Sequence, residues 1–130
     1  MTEVCMDEPY LFYNADCKFC KDTAMLMKRI SSITIVSNSD NSWFYSHNLN
    51  IRRLRVALKK DVHAIYFCRR GNRYTTRKVY SGGGALAIAI SRINGLGIVK
   101  KAYDNSKIVE SIFNLTYKLT KKIKVIYNNL

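Results

Sequence analysis

Cys17 and Cys20 stand three residues apart in Asp16-Cys17-Lys18-Phe19-Cys20. Two thiols at that spacing can pass between dithiol and disulfide, provided that one of them ionises readily. The flanking residues supply the means. Tyr10-Leu11-Phe12-Tyr13 is a short apolar run of strand type, and after the pair Phe19, Thr23, Leu26 and Ile30 share one face of a helix. Strand, tight turn and helix in that order place Cys17 at a helix N-terminus, where unpaired backbone N–H groups and the helix dipole favour a thiolate. The thiolate is the attacking species of disulfide exchange. Cys20 follows about one turn later, within reach of Cys17. Cys17 is therefore the expected nucleophile and Cys20 the expected resolving thiol.

Zinc is the competing chemistry for a Cys-x-x-Cys, and it requires a second pair of ligands. Cys5 and Cys68 stand singly, and His47 and His63 lack ligand spacing, so no metal site is expected. With only one close pair, the four cysteines do not read as a disulfide framework. Cys68 is expected inside a strand as a small hydrophobe, and Cys5 at the surface, free to link to another molecule. Ser81-Gly82-Gly83-Gly84 leads into an apolar helix over 85–93, as phosphate loops do. It lacks both the Lys-Ser/Thr of a P-loop and the full Gly-x-Gly-x-x-Gly pattern, so the glycines read as close packing and a sharp turn.

The positioning elements follow from periodicity. Strands are expected at 10–13, 33–36 and 64–68, the last turning through Arg69-Arg70-Gly71-Asn72 into a hairpin partner at 74–80. Helices are expected at 19–30, 51–58 and 85–93. Residues 37–50 are polar and turn-rich, with Trp43, Phe44 and Tyr45 expected to anchor them to the core, the alternative being that they cover the edge of a site. In the amphipathic helix over 107–127, Ile108, Ile112, Leu115, Leu119, Ile123 and Ile126 form one apolar stripe, expected to pack on its own domain, with docking on an anionic membrane as the alternative. The order is β-α-β-α-β-β-α with further helices: an α/β, thioredoxin-like domain with a central four-stranded mixed sheet flanked by helices and extra C-terminal helices. At 130 residues and 48% hydrophobic, with no linker or repeat, residues 1–130 form one domain, with 1–9 flexible.

Tyr13-Asn14-Ala15-Asp16-Cys17-Lys18-Phe19-Cys20 resembles the opening of the DCC-type thiol–disulfide oxidoreductases, a hydrophobic strand followed by Tyr-Asp-Gly-x-Cys-x-x-Cys. More diffuse matches are Val62-His63-Ala64-Ile65-Tyr66, the helix entry Tyr80-Ser81-Gly82-Gly83-Gly84-Ala85-Leu86 and a C-terminal helix containing Tyr117. The resemblance implies a thioredoxin-like fold and disulfide oxidoreductase activity. Two departures bear on the chemistry. Asn14-Ala15 stands for the family's Asp-Gly, leaving Asp16 as a substitute carboxylate, although its charge would raise the Cys17 pKa. Lys18 stands where many relatives have Pro, and its cation would favour the thiolate. The sole proline is Pro9, so the chain lacks the proline that classical thioredoxins keep cis before the third strand; Asp61-Val62-His63 occupies that stretch. His63 at such a place can lend a proton or stabilise the thiolate, or be an ordinary strand-edge histidine.

No bound cofactor is required, since electrons arrive through another thiol system, and the expected partner is a disulfide-containing protein or small thiol. Charge points to a further partner. Residues 1–50 hold four Lys/Arg against six Asp/Glu, and residues 51–130 hold eighteen against three. That asymmetry suits an anionic partner, and the alternative function is a non-catalytic binding module using the basic C-terminal half for nucleic acid, an acidic protein or an anionic membrane surface. The N-terminal residues are acidic and without an apolar h-region, so no signal peptide is expected, and no apolar run is long enough to span a bilayer. A cytoplasmic, reducing location is expected, with Cys17 and Cys20 resting as thiols.

Overall fold

Alternation along the strands sorts the side chains into two layers. In the computed structural model, which describes residues 2–47 and 61–129, Leu11, Ala64, Tyr66 and Tyr80 lie in one core cluster, and Phe12, Ile65 and Phe67 in another. That is the period of two of a pleated strand buried on both faces. Strands β1 (Val4–Cys5), β2 (Tyr10–Tyr13), β3 (Thr34–Ser37), β4 (His63–Arg70) and β5 (Arg73–Ser81) form one mixed sheet. Helices α1 (Lys18–Ile30), α2 (Asn41–Ser46), α3 (Gly83–Ser91), α4 (Ile98–Asn105) and α5 (Lys107–Asn128) complete the described residues. β2 runs parallel to β3 and antiparallel to β4, which pairs antiparallel with β5. The chain is thus mixed α/β. The helix expected over 51–58 and the cations Arg52, Arg53, Arg55, Lys59 and Lys60 lie outside the described residues.

The sheet has five strands where four are expected. The added one comes from the segment expected to be flexible: β1 pairs with the far half of β4, setting Val4 opposite Arg69 and Cys5 opposite Cys68, and Pro9 is fully buried. That register corrects the reading of two cysteines. Cys5 and Cys68 are bonded to each other as a cross-strand disulfide. Neither is single, and Cys5 has no thiol left for an intermolecular link. Nothing in the local spacing signals the pair, because 63 residues separate its members and only strand pairing brings them together. The polar stretch after β3 holds a second unexpected element, the short helix α2. Asp40 caps it, its carboxylate accepting from the Trp43 N–H at 3.2 Å. The helix delivers Trp43 and Phe44 to the Phe12 cluster while Tyr45 stays exposed, so two of the three aromatics anchor.

α5 packs in the opposite sense from the one its stripe implies. Ile108, Ile112, Leu115, Leu119, Ile123 and Ile126 point away from the domain and are 52% to 73% exposed. The face turned inward carries Phe113, Tyr117, Thr120, Lys124 and Asn128, spaced four, three, four and four residues apart. Periodicity finds the stripe, and hydrophobicity alone turns it the wrong way. Aromatic rings and polar groups that meet specific partners set the docking instead.

Two glycines admit α5 to this position. Gly82 adopts φ +58°, and a Cβ there would lie 3.1 Å from the Tyr117 ring. A Cβ on Gly83 would lie 2.7 Å from the Phe113 carbonyl oxygen. Among the described residues, no helix is long and apolar enough to cross a membrane.

Gly83→Ala should lower unfolding free energy by about 1–3 kcal/mol, the usual range for overpacking. Gly97→Ala, with nothing within 4 Å of its Cβ, should change it by less than about 0.5 kcal/mol. Equal urea midpoints for the two variants would show that α5 does not seat on α3 this closely. The paired variant Cys5→Ser/Cys68→Ser should lose about 2–4 kcal/mol, as expected for a bond closing a long loop; an unchanged midpoint would remove the disulfide's structural role.

Candidate active site

The turn leaving β2 is built from two amides. Asn14 Oδ1 accepts from the Asp16 N–H at 3.1 Å and from Asn38 Nδ2 at 3.0 Å, while Asn38 Oδ1 accepts from the Ala15 N–H at 3.1 Å. Asn38, just past β3, also donates its own N–H to the Tyr13 carbonyl at 2.9 Å. The parallel pairing of β2 and β3 thus carries the brace to the turn. A side chain serving as both donor and acceptor suits this place. Asn14 is a turn-former here, and it makes no hydrogen bond to either thiol.

The turn ends on Cys17, the N-cap of α1, at extended φ/ψ (−99°, 114°). A sulfur in the cap position faces the orphan donors of the first turn. Cys17 Sγ accepts from the Cys20 N–H at 3.2 Å and from the Cys20 thiol, the sulfurs lying 2.6 Å apart. Across the helix end, Asn128 donates from Nδ2 to Cys17 Sγ at 3.4 Å and accepts from the Phe19 N–H through Oδ1 at 3.0 Å. One amide from the end of α5 therefore serves both the helix terminus and the sulfur. Its neighbour Tyr127 holds it in place, donating its hydroxyl to Asp22 and meeting the Phe19 ring edge-on at 5.5 Å.

These contacts drive the two thiols apart in acidity. Burial pushes Cys17 up, but hydrogen bonds from the Cys20 thiol, the Asn128 amide and the Cys20 N–H, with the Lys124 charge, together hold it below the ordinary cysteine value. Cys20 is pushed up to about 11, by burial first and then by donating its proton to Cys17. Lys124 opposes that rise. A small apolar cleft of about 60 Å³ lies behind Cys20, lined in part by Leu11, Phe19, Met27, Val62 and Tyr117. At its rim Lys121 pairs with Asp61 at 2.7 Å.

The supporting residues expected from the sequence divide. Asp16 takes part through its backbone N–H alone. Lys18 places its ammonium 5.4 Å from the Tyr127 ring centroid, and Lys124 is a cation that lowers the pKa of both sulfurs. His63 stands opposite Phe12, near the carboxyl end of β2, and donates Nδ1 to the Asp61 carbonyl at 2.9 Å. No hydrogen bond links it to a thiol among the described residues. Asn128 and Lys124 are missing from the sequence reading. Asn128 lies 111 residues from Cys17, and in sequence Lys124 is one of several lysines near a helix end. One group of metal-ligating side chains occurs among the described residues, Glu3, Cys5 and Cys68, and the bond between its sulfurs removes both thiolates.

Compared with known proteins, the chain matches no protein-family model, no curated protein and no solved structure.

Asn128→Ala should move the pH profile of Cys17 alkylation to higher pH and slow alkylation at pH 7 roughly threefold, the scale of one modest hydrogen bond. Cys17 should be labelled before Cys20, whose pKa is held up at about 11 only while Cys17 is unmodified. Mass-spectrometric mapping of iodoacetamide labelling across pH reads both, and a profile unmoved by the substitution would exclude Asn128 from the thiolate's environment.

Proposed function

We propose that this protein is a thiol–disulfide oxidoreductase in which Cys17 attacks and Cys20 resolves. The observation that carries the reading is the Cys17 sulfur at a helix N-cap, 2.6 Å from a second thiol and within hydrogen-bond reach of Asn128. Two thiols with their acidities driven apart are what sequential exchange requires. The pairing of β2 with β3 and β4, and of β4 with β5, is the arrangement a thioredoxin-like domain needs, and it supports that finer description. The likeness to the DCC-type oxidoreductases rests on the Cys-x-x-Cys block and is part of the same proposal.

The cycle begins with the reduced pair. An incoming disulfide takes the place of the Asn128 amide at Cys17, which is only 7% exposed. The Cys17 thiolate attacks one sulfur of the substrate; that S–S bond breaks, and the departing thiolate takes a proton from water. Cys17 is now neutral in a mixed disulfide. Two causes of the high Cys20 pKa, its hydrogen bond to Cys17 and the Cys17 charge, disappear at this point, while the Lys124 charge remains. Cys20 gives up its proton and attacks Cys17 Sγ. The second substrate thiol leaves, and the enzyme holds a Cys17–Cys20 disulfide. Two electrons have passed from the protein to the substrate, and an external dithiol returns them. The order of attack thus follows from which sulfur carries charge at each stage.

Mixing Cys20→Ser with a disulfide-bonded peptide should accumulate a mixed disulfide at Cys17, visible as a mass increase on one tryptic fragment. Reduced wild type should release two peptide thiols per Cys17–Cys20 bond formed, and Cys17→Ser should do neither. Absence of both the trapped species and the released thiols, in protein whose Cys17 alkylates normally, would end the oxidoreductase reading.

A further inference from the structure

α5 meets the domain with one face and leaves the other to solvent. The outward face holds six Ile and Leu residues, each more than half exposed, running the length of a 22-residue helix. At about 100° per residue they occupy roughly 80° of the circumference. A continuous apolar strip of this kind on a water-facing helix marks a contact surface, since isolated chains rarely expose one. Lys107, Lys118 and Lys122 run along one margin of the strip, and all three are exposed. Lys121 and Lys124 lie further round, while the sole carboxylate of the helix, Glu110, projects from nearly the opposite side.

We infer that this face docks on the surface of an anionic phospholipid bilayer, with α5 lying in the headgroup plane. Three features favour that occupant. The helix carries five lysines and no arginine. Lysine stems lie along apolar surface and lift their ammonium groups to the headgroups, whereas the planar guanidinium is the group that protein carboxylates select. The strip is wholly aliphatic, lacking the Tyr, Trp and Arg that anchor protein interfaces. The chain also carries a net charge of +13, and an antiparallel second copy would set the lysine margins against each other. An acidic fluid surface satisfies both the strip and its margin without demanding shape complementarity. The helix need not unfold to expose the strip.

Membrane docking is independent of the thiol chemistry, but the two meet in α5. Its inner face presents Asn128 and Lys124 to the sulfurs while its outer face would rest on lipid, about one helix diameter away, or ~10 Å. A docked molecule would hold Cys17 close to the membrane surface.

Flotation of the full chain with extruded vesicles tests this. Vesicles of phosphatidylcholine with about one third phosphatidylglycerol should bind at least about tenfold more protein than phosphatidylcholine alone, and raising salt from about 0.1 to 0.5 M should release most of it. Leu115→Glu/Leu119→Glu should abolish binding, and Lys118→Gln/Lys122→Gln should weaken it several-fold. Unchanged circular dichroism and unchanged Cys17 alkylation show that a variant has kept the fold. Equal recovery on neutral vesicles would overturn the inference, as would stripe variants that bind like wild type, since charge alone would then account for binding. Failure to float, with a sedimentation-velocity dimer that Leu115→Glu/Leu119→Glu dissolves, would assign the strip to a second copy. Failure to float, with binding of an acidic amphipathic peptide that the same variant abolishes, would assign it to a protein partner.

Discussion

The approach of α5 to the Gly82–Gly83 step is the constraint on which the thiol site depends. A side chain at either glycine would meet Tyr117 or the Phe113 backbone, so the two helices come together only because none is present. From Phe113 the helix runs on rigidly for about 22 Å to Asn128. A small tilt at the glycine end would therefore be magnified at the sulfur. The Val62 N–H donates to the Tyr117 hydroxyl at 3.3 Å, and Lys121 pairs with Asp61, so the segment entering β4 holds the middle of the lever. Burial would raise the Asp61 carboxyl, but Lys121 and Tyr117 hold it below its ordinary value, which keeps the pair charged. Packing at one end of α5 thus becomes electrostatics at the other.

The chemistry at that far end comes from few groups. A helix N-terminus by itself offers unpaired donors, and in most proteins these meet a hydroxyl or carboxylate. Here the cap atom is sulfur, and the donors that favour its ionised form include one from outside the helix. Burial opposes ionisation of both thiols, yet the outcomes differ, because Cys17 receives hydrogen bonds and Cys20 donates one. The asymmetry is geometric: the first residue of the motif caps the helix and the second lies inside it.

The other end of the sheet is held differently. β1 is only two residues long, and the bond from Cys5 to Cys68 ties it to β4 where few main-chain hydrogen bonds are available. The four cysteines therefore fall into two separate pairs at opposite ends of β4. His63, near the thiol end, lies five residues from Cys68, roughly 17 Å along an extended strand.

The sequence alone determined the local order around Cys17: an apolar strand, a turn, a capped helix, and two thiols one turn apart, although of the face expected for that helix Leu26 and Ile30 are exposed and Ala24 and Met27 pack inward instead. Those features depend on neighbours within a few residues, and local periodicity records them. It also made the β4–β5 hairpin and the apolar stripe of α5 visible. Tertiary structure alone decided which face of α5 turns inward, because the choice rests on Tyr117 and Phe113 meeting two glycines some 30 residues away. It alone joined Cys5 to Cys68, which depends on the register of two strands far apart in the chain. It brought Asn128 and Lys124 to the sulfurs and left Lys18 over a tyrosine ring. Charge and hydrogen bonding act through space at a few ångströms, and a sequence lists the groups without saying which of them come that close.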